Sequence, residues 1–166
     1  MDDITNRDWL TKEEAEAFIG KNSDYYLDKW KAHSETSLKG WNWAAFFFGI
    51  NWMNYRKMYI EALLYYIITA IAAAVIYTML VLLGIWIDSN ITQTLLTVIF
   101  TGVFGNKLHR NKALRVLRKS LSSSESERMS ALEAKGGVSV AGAIIGVLLR
   151  IAISVSLAFL IYRYRY

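Results

Sequence analysis

The sequence contains no cysteine and no proline in its 166 residues. Without cysteine, the chain can form no disulfide, offers no thiol nucleophile and has no thiolate ligand for a metal. Without proline, no helix is interrupted by the strongest helix breaker, so helix boundaries have to come from glycine, asparagine, aspartate and serine. We therefore predict an all-α fold, and we expect no cofactor and no metal site.

Charged residues are also missing from 26 consecutive positions, Ala62 to Ile87. A helix of that length measures about 39 Å, whereas the hydrocarbon layer of a bilayer is about 30 Å thick. The segment therefore predicts a transmembrane helix, and the lipid bilayer is the first partner that we expect. The whole chain is 54% hydrophobic and 20% charged, and the charges lie in blocks outside the apolar segments. The protein is thus expected to be partly embedded and partly polar.

The first forty residues are polar and charged, and no basic start is followed by an apolar stretch, so we expect no cleaved signal peptide. Thr11 and Glu14 have the spacing of a capping box and predict a helix that ends near Gly20. Asn22 or Ser23 would cap a second helix. Residues 1–40 are therefore predicted to form cytoplasmic amphipathic helices. The positions that recur at helical spacing in the second helix are Tyr26, Leu27, Trp30 and His33.

Residues 41–57 are too few to span a membrane and too aromatic for a surface exposed to water. Trp and Tyr rings favour the headgroup level of a bilayer, where the ring is sheltered and its polar atom stays wet. We predict an interfacial or re-entrant helix closed by a basic pair, with packing as ordinary core against the other spans as the alternative. The candidate membrane-interface residues are Trp41, Trp43, Phe46, Phe47, Phe48, Trp52, Tyr55, Arg56 and Lys57.

A transmembrane hairpin is predicted for residues 62–105. Its first span ends at Trp86 and Ile87, and the polar residues 88–90 supply the turn. The return leg, Ile91 to Phe104, carries a glutamine and several threonines, whose side chains can hydrogen-bond to carbonyls or across a helix interface.

Residues 106–137 form a basic segment that we expect to be helical and cytoplasmic. It carries six cations and no acid between positions 107 and 119, whereas the turn at 88–90 carries no cation. The positive-inside rule therefore places this segment and the N-terminal region in the cytoplasm. The cluster also suits anionic lipids, at about 1 kcal/mol per charge, although a topology signal alone would explain it. The six cations are Lys107, Arg110, Lys112, Arg115, Arg118 and Lys119.

The last part of the basic segment is predicted to form a separate helix. Ser122 and Glu125 have capping-box spacing, and Gly136 and Gly137 follow as a stop. The chain has a pI of about 9.4, but its cations lie beside a predicted span and no nucleic-acid readout motif is present. We therefore expect no nucleic-acid partner.

A third apolar segment, residues 138–162, is interrupted by Arg150. Its fourteen Val, Ile, Leu and Phe residues should outweigh an arginine that costs about 2.5 to 3.5 kcal/mol on an insertion scale. We predict a third transmembrane helix, and the alternative is a re-entrant segment with a cytoplasmic C-terminus. One stripe of this helix is small or polar, and we predict an interaction face there for another membrane protein or for a second copy. Alternatively, Arg150 snorkels or bonds to carbonyls within its own bundle. The stripe comprises Gly142, Gly146, Arg150, Ser154 and Ala158, and the first four are the candidate interaction residues.

Catalytic patterns are missing from the sequence: it contains no HExxH, GxSxG or P-loop motif. Glu61 and His109 would both lie near the cytoplasmic boundary and could form an acid–base pair. We expect His109 to be an ordinary surface side chain instead. The sequence therefore predicts a protein that is not an enzyme.

Five short segments carry a resemblance to a known family: residues 18–30, 41–49 (WNWAAFFFG), 55–59 (YRKMY), 105–106 and 135–137. Together they resemble the bacterial inner-membrane family of unknown function in which some members are labelled YigF. The resemblance covers roughly residues 18 to 140. It implies a small bacterial inner-membrane protein in which an aromatic box precedes a pair of spans, with no established activity. Members commonly have proline where this chain has Ile50 and an aromatic residue where it has His109.

Two main classes of function remain open. The first is a non-enzymatic membrane protein that acts through protein–protein interaction, as an accessory or regulatory subunit or an immunity-type protector. The second is an oligomeric transport or channel element with a polar path lined by Arg150. A weaker third possibility is a sensor of anionic lipid built from the aromatic and basic segments.

Overall fold

The computed structural model describes residues 9–32 and 40–165, which form eight helices and no strand. The all-α prediction is therefore confirmed for these residues. His33, which we expected on the second helix, lies outside the described residues. The helices are α1 (Lys12–Ile19), α2 (Ser23–Ala32), α3 (Trp43–Phe48), α4 (Ile50–Tyr55), α5 (Tyr59–Leu82), α6 (Ser89–Ser120), α7 (Glu125–Lys135) and α8 (Val140–Arg165).

The start and end of α1 follow directly from local sequence. Thr11 caps the helix by accepting a hydrogen bond from the backbone N–H of Glu14, and the Glu14 carboxylate accepts one from the backbone N–H of Thr11. The helix ends at Gly20, whose φ of 63° favours a residue without a Cβ. α2 begins three residues later, at Ser23, as the sequence indicated.

The capping box of α7 lies two residues later than predicted. Its members are Ser124 and Glu127, so the prediction of Ser122 and Glu125 was wrong. Both pairs have the required spacing. Ser122 does not cap α7, because α6 continues to Ser120 and the residues that follow form a turn, in which the Ser123 N–H donates to the Ser120 carbonyl.

Most of the uncharged segment lies in α5, which extends over 24 residues, about 36 Å. The helix ends at Leu82 and not at Ile87, because Gly84 adopts a φ of 77° that no regular helix contains. α6 extends over 32 residues and joins the return leg of the hairpin to the basic segment without a break. The boundary that we drew between residues 105 and 106 is therefore not a helix end, since both positions lie inside α6.

α5 is the one helix, within the described ranges, that is long and apolar enough to cross a membrane by itself. Only 11% of its most apolar window is buried inside the protein, which is unlike the core helix of a protein packed in water. α7 and α8 would count as a second candidate if they were taken together, although the chain bends by 40° between them.

One end of the molecule is a compact head made from α1, α2, α7 and the second half of α6. Its core is apolar and aromatic, and residues of α4 also enter it. The largest side chains that the head buries are Phe18, Ile19, Tyr26, Trp30, Trp52, Met53, Met58, Leu114, Leu117 and Leu132.

The aromatic segment is a helical hairpin, because Gly49 separates α3 from α4 with a φ of 52°. α3 runs antiparallel to α6: Asn42 contacts Asn106, the Ala45 carbonyl accepts from Thr101, and Gly49 lies beside Thr97. α4 then returns along the first half of α8. Both ends of the hairpin therefore lie at the head, and its tip points away from it.

Candidate functional site

The first two residues of the predicted stripe on α8, Gly142 and Gly146, pack against other helices of the same chain. A Cβ at Gly142 would lie 2.5 Å from the Tyr59 hydroxyl, and a Cβ at Gly146 would overlap the side chain of Asn54. Glycine at both positions lets α8 approach α4 and the start of α5 closely, with the side chains of Tyr59 and Asn54 filling the space of a Cβ. The structure uses these two residues inside the molecule, whereas we predicted them on a face for a partner.

Arg150 continues the same contact with a polar interaction. Its Nη2 donates a hydrogen bond of 2.6 Å to Oδ1 of Asn51, on α4. In the part of the chain that the structure describes, no carboxylate pairs with this guanidinium. Its Nε is buried and makes no hydrogen bond there. The intramolecular alternative for Arg150 is thus close to what the structure shows, with an amide oxygen and not a carbonyl of the main chain as acceptor.

Arg150 also lines a polar cleft of about 330 Å³ at the tip of the α3–α4 hairpin. The other walls come from the tip itself, residues 47–50, from Tyr66 on α5 and from the first three turns of α6. The polar residues that α6 contributes are Asn90, Gln93, Thr94 and Thr97. The buried Nε2 of Gln93 has no hydrogen-bond partner among the described residues.

Sequence reasoning found Arg150 and the polar character of the return leg, but it missed that Asn51 accepts a hydrogen bond from Arg150 and that Gln93 lines the same cleft. Asn51 and Arg150 are 99 residues apart in the sequence. The only local signal was an asparagine within an otherwise aromatic and apolar segment, which the helix period does not link to Arg150.

Ser154, the last of the candidate interaction residues on the stripe, lies in a different environment. It lies among residues 151–156, which are all exposed although the preceding turns of α8 pack on α4. These six residues cover more than one helical turn, so exposed side chains point to every side of the helix at this level, although Ile153 also borders a groove shared with α4 and α5.

The hairpin is fixed on α6 by close contacts and by one amide pair. A Cβ at Gly102 would lie 2.8 Å from the Trp41 ring, and a Cβ at Gly105 would lie 3.0 Å from Ala45. Asn42 caps α3 and donates a hydrogen bond of 2.8 Å to Asn106, and both side chains are fully buried. The WNWAAFFFG motif is therefore in large part a packing motif.

The predicted membrane-interface residues are divided between two surroundings. Trp43, Phe47 and Phe48 are more than half exposed, as a contact with lipid requires. Trp52 and Arg56 are buried in the head. The remaining members are partly buried: Trp41, Phe46, Tyr55 and Lys57. Neither the interfacial nor the core alternative describes the whole segment.

Arg56 and Lys57 close the hairpin through main-chain carbonyls. Arg56 donates to the carbonyls of Ile19 and Lys21 and lies 4.2 Å above the ring of Tyr26. Lys57 donates to the carbonyl of Ala134 at the end of α7. The basic pair therefore joins the hairpin to the head, whereas we expected it to mark a membrane surface.

The six cations of the basic segment are not all available to lipids. Lys112 donates to the carbonyls of Lys57 and Lys135, each at 2.8 Å, and Arg115 pairs with Glu61. Burial lowers the pKa of Lys112 from 10.5 to about 8, and the charge of Glu61 partly opposes that shift. The other four are exposed or half-exposed: Lys107, Arg110, Arg118 and Lys119.

His109 is fully buried, so the expectation that it is a surface side chain was wrong. Its ring lies 5.3 to 5.9 Å from the ring centres of four aromatic side chains, and neither ring nitrogen has a hydrogen-bond partner among the described residues. Burial lowers the pKa of His109 well below 6.5, and the charges of Arg56 and Lys112 lower it further. Glu61 pairs with Arg115 instead, so no acid–base pair forms with His109. The four aromatic neighbours are Phe18, Tyr26, Trp30 and Trp52.

Comparison with known proteins gives one match. Residues 12–115 match the family described as protein of unknown function (DUF2628), which covers α1 to α5 and most of α6. No curated protein and no solved structure matches the chain. The matched part contains the head contacts of Arg56 and His109 and the whole α3–α4 hairpin, whereas Arg150 lies beyond it. Because the match extends over more than half of the sequence, this chain belongs to the DUF2628 family of proteins of unknown function.

Proposed function

We propose that this protein is a multi-pass, non-enzymatic protein of the bacterial cytoplasmic (inner) membrane that acts by binding another membrane protein. Its role would be that of an accessory or regulatory subunit or an immunity-type protector. Within its family, the WNWAAFFFG and YRKMY segments support a closer relation to the members labelled YigF.

The proposed topology places the head and the N-terminus in the cytoplasm. α5 leaves the head, the turn at 88–90 lies outside, and α6 returns to the head with its six cations. α3 and α4 then form a re-entrant hairpin, because both of its ends lie at the head. α8 crosses the membrane as the third span, and its exposed apolar side chains face lipid or a partner.

The observation that carries the interaction is the exposed stretch 151–156 of α8. Residues 151–156 are all exposed, and this stretch contains the small residues Ala152, Ser154 and Ser156. Small residues let two helix backbones approach closely in a membrane, and serine hydroxyls can bond across the interface. We propose that a helix of a different membrane protein packs here. Ser154 therefore remains an interaction residue, while Gly142 and Gly146 hold α8 on its own hairpin.

Site-specific photo-crosslinking in native membranes tests this function. A photoreactive residue at Ser154 or Val155 is expected to give one protein adduct of defined mass, and the same residue at Leu63 on α5 is expected to give lipid adducts only. Ser154→Leu is expected to abolish both the adduct at Val155 and a stoichiometric companion in mild-detergent purification. Lipid adducts at every position, together with a purified monomer, would contradict the proposal. An adduct of twice the chain mass would show a second copy and would contradict an accessory role.

A second candidate function, an oligomeric transport or channel element, is favoured by one observation: Arg150 lines a polar cleft that reaches the tip of the hairpin. Solute or ion flux into proteoliposomes that is present for the wild type and lost in Arg150→Gln would support it. Anionic lipids also remain proposed partners through the exposed side chains of Lys107 and Lys119.

A further inference from the structure

The cleft at the tip of the α3–α4 hairpin combines one cation with several hydrogen-bond donors and no acid. Its lining residues include no aspartate or glutamate. Arg150 supplies the positive charge, and Gln93, Asn90 and Thr94 supply amide and hydroxyl groups. A cleft of this composition has a positive electrostatic potential, because amides and hydroxyls are neutral and nothing in its wall compensates the guanidinium.

Arg150 has unused hydrogen-bonding capacity in this cleft. A guanidinium has five N–H groups, and the described residues accept from only one of its nitrogens, through Asn51. Gln93 Nε2 is likewise a buried donor without an acceptor. Because an unpaired buried donor is unfavourable, both side chains favour an additional acceptor.

The position of the cleft strengthens this preference. Arg150 lies ten residues into α8, about 15 Å along the helix, and Thr97 of the cleft wall bonds to Thr69, a similar distance into α5. In the proposed topology this level is inside the hydrocarbon layer, where an arginine without a counter-charge is unfavourable. A bound anion would remove much of that cost.

We infer that the cleft binds one oxyanion group, a carboxylate or a phosphate, with Arg150 as its principal ligand. The planar guanidinium matches the two oxygens of such a group, and Gln93 donates a further hydrogen bond. A volume of about 330 Å³ is at the small end for ligand pockets, so the occupant is a small oxyanion or a single lipid headgroup phosphate.

This inference names the ligand class of the cleft on which the second candidate function depends, and it rests on the proposed membrane placement. Binding requires neither solute flux nor a partner helix on residues 151–156. Failure of the crosslinking experiment would therefore leave the oxyanion site intact, and failure of oxyanion binding would leave the partner interaction intact.

Thermal unfolding in a maltoside detergent, which contains no phosphate, measures the binding. Sodium phosphate and sodium acetate are titrated against sodium chloride at constant ionic strength. We expect both probes to raise the unfolding midpoint of the wild type saturably and to leave Arg150→Gln unchanged. Arg163→Gln is the matched control, because it removes an exposed arginine from the same helix outside the cleft, and it should respond as the wild type does.

Gln93→Leu provides a second variant in case Arg150→Gln, which also loses its bond to Asn51, does not fold. Its apparent dissociation constant for phosphate is expected to rise about tenfold. No saturable shift in the wild type, or equal shifts in the wild type and both cleft variants, would overturn the inference. Repeating the titration in phosphatidylcholine nanodiscs identifies the source: a response that persists there shows a soluble oxyanion, and one that disappears there shows that a lipid phosphate already occupies the site.

Discussion

His109 is a hydrogen-bonding side chain in an apolar position. Four aromatic rings surround it, and two nearby cations, Arg56 and Lys112, oppose its protonation. The folded protein therefore holds this histidine neutral, and the imidazole fills a core position that a plain aromatic residue could also fill. Such a histidine makes the stability of the head depend on pH near neutrality.

We expect acidification to destabilise the wild type. The variant His109→Phe should lose that response. The folded-state pKa of His109 lies well below 6.5, so below pH 6.5 the unfolded chain binds a proton that the folded protein does not. The free energy of unfolding should therefore fall as the pH decreases through this range, by at most about 1.4 kcal/mol per pH unit. Chemical unfolding in detergent at pH 7.0 and 5.5 measures the slope. Equal slopes for the two proteins would contradict the assignment.

At the residue level, sequence reasoning could identify Arg150 because a lone charge in an apolar segment is a local signal. It could not place His109, because the four rings that enclose it come from α1, α2 and α4, which are distant from His109 in the sequence. The contacts of Arg56 could not be predicted either, because its acceptors, the carbonyls of Ile19 and Lys21, are main-chain atoms that carry no sequence signature.

At the level of elements, two glycine pairs determine how the helices pack. Gly102 and Gly105 allow α3 to pack closely on α6. Gly142 and Gly146 allow α4 to pack closely on α8. The α3–α4 hairpin is therefore held between two helices, each of which presents glycines four or fewer residues apart. Without a Cβ at these positions, the backbones can approach closely and the hairpin tip is fixed beside the cleft.

The substitution Gly142→Leu is expected to destabilise the protein by about 1 to 3 kcal/mol, the usual cost of overpacking. Its side chain would meet the Tyr59 hydroxyl and the carbonyl of Asn54. Ala141→Leu is the matched control, because the neighbouring position is exposed and the same side chain fits there without a clash. Unfolding midpoints of both variants in mild detergent give the comparison. If Ala141→Leu costs as much as Gly142→Leu, the packing role of the glycine is wrong.

The elements that the sequence predicted well are those whose signals are local. Thr11 and Glu14 define the start of α1 within four residues, and a long uncharged segment defines α5. Helix ends were less certain where two signals competed, as with Gly84 against the apolar residues that follow it. The re-entrant alternative for residues 41–57 did not locate the break at Gly49, because the surfaces on α6 and α8 that hold the hairpin are distant in the sequence.

At the level of the whole molecule, the head and the helices that leave it are joined by one continuous helix, α6, which takes part in both. The exposed apolar surface of α5 favours lipid as its surroundings. The proposed topology then follows from charge: the cations lie at the head, and the turn at 88–90 carries none.

Single cysteines introduced into this cysteine-free chain test the topology directly. In intact cells, a membrane-impermeant thiol reagent is expected to label Ser89→Cys and Tyr164→Cys, and to label Ser122→Cys only after the membrane is permeabilised. The wild type is the blank, since it has no thiol. Labelling of Ser89→Cys and Ser122→Cys from the same side would refute the hairpin topology. Protection of Tyr164→Cys alone would show instead that α8 re-enters.

The amide pair between Asn42 and Asn106 joins positions 64 residues apart. During synthesis the N-terminal part of a chain emerges first, so the aromatic hairpin leaves the ribosome well before the groove on α6 that receives it. Until α6 has been synthesised, the rings of the hairpin lack the surface on which they pack. The tight glycine contacts therefore form late in biogenesis, and a chain truncated before residue 106 would leave the hairpin without its docking groove.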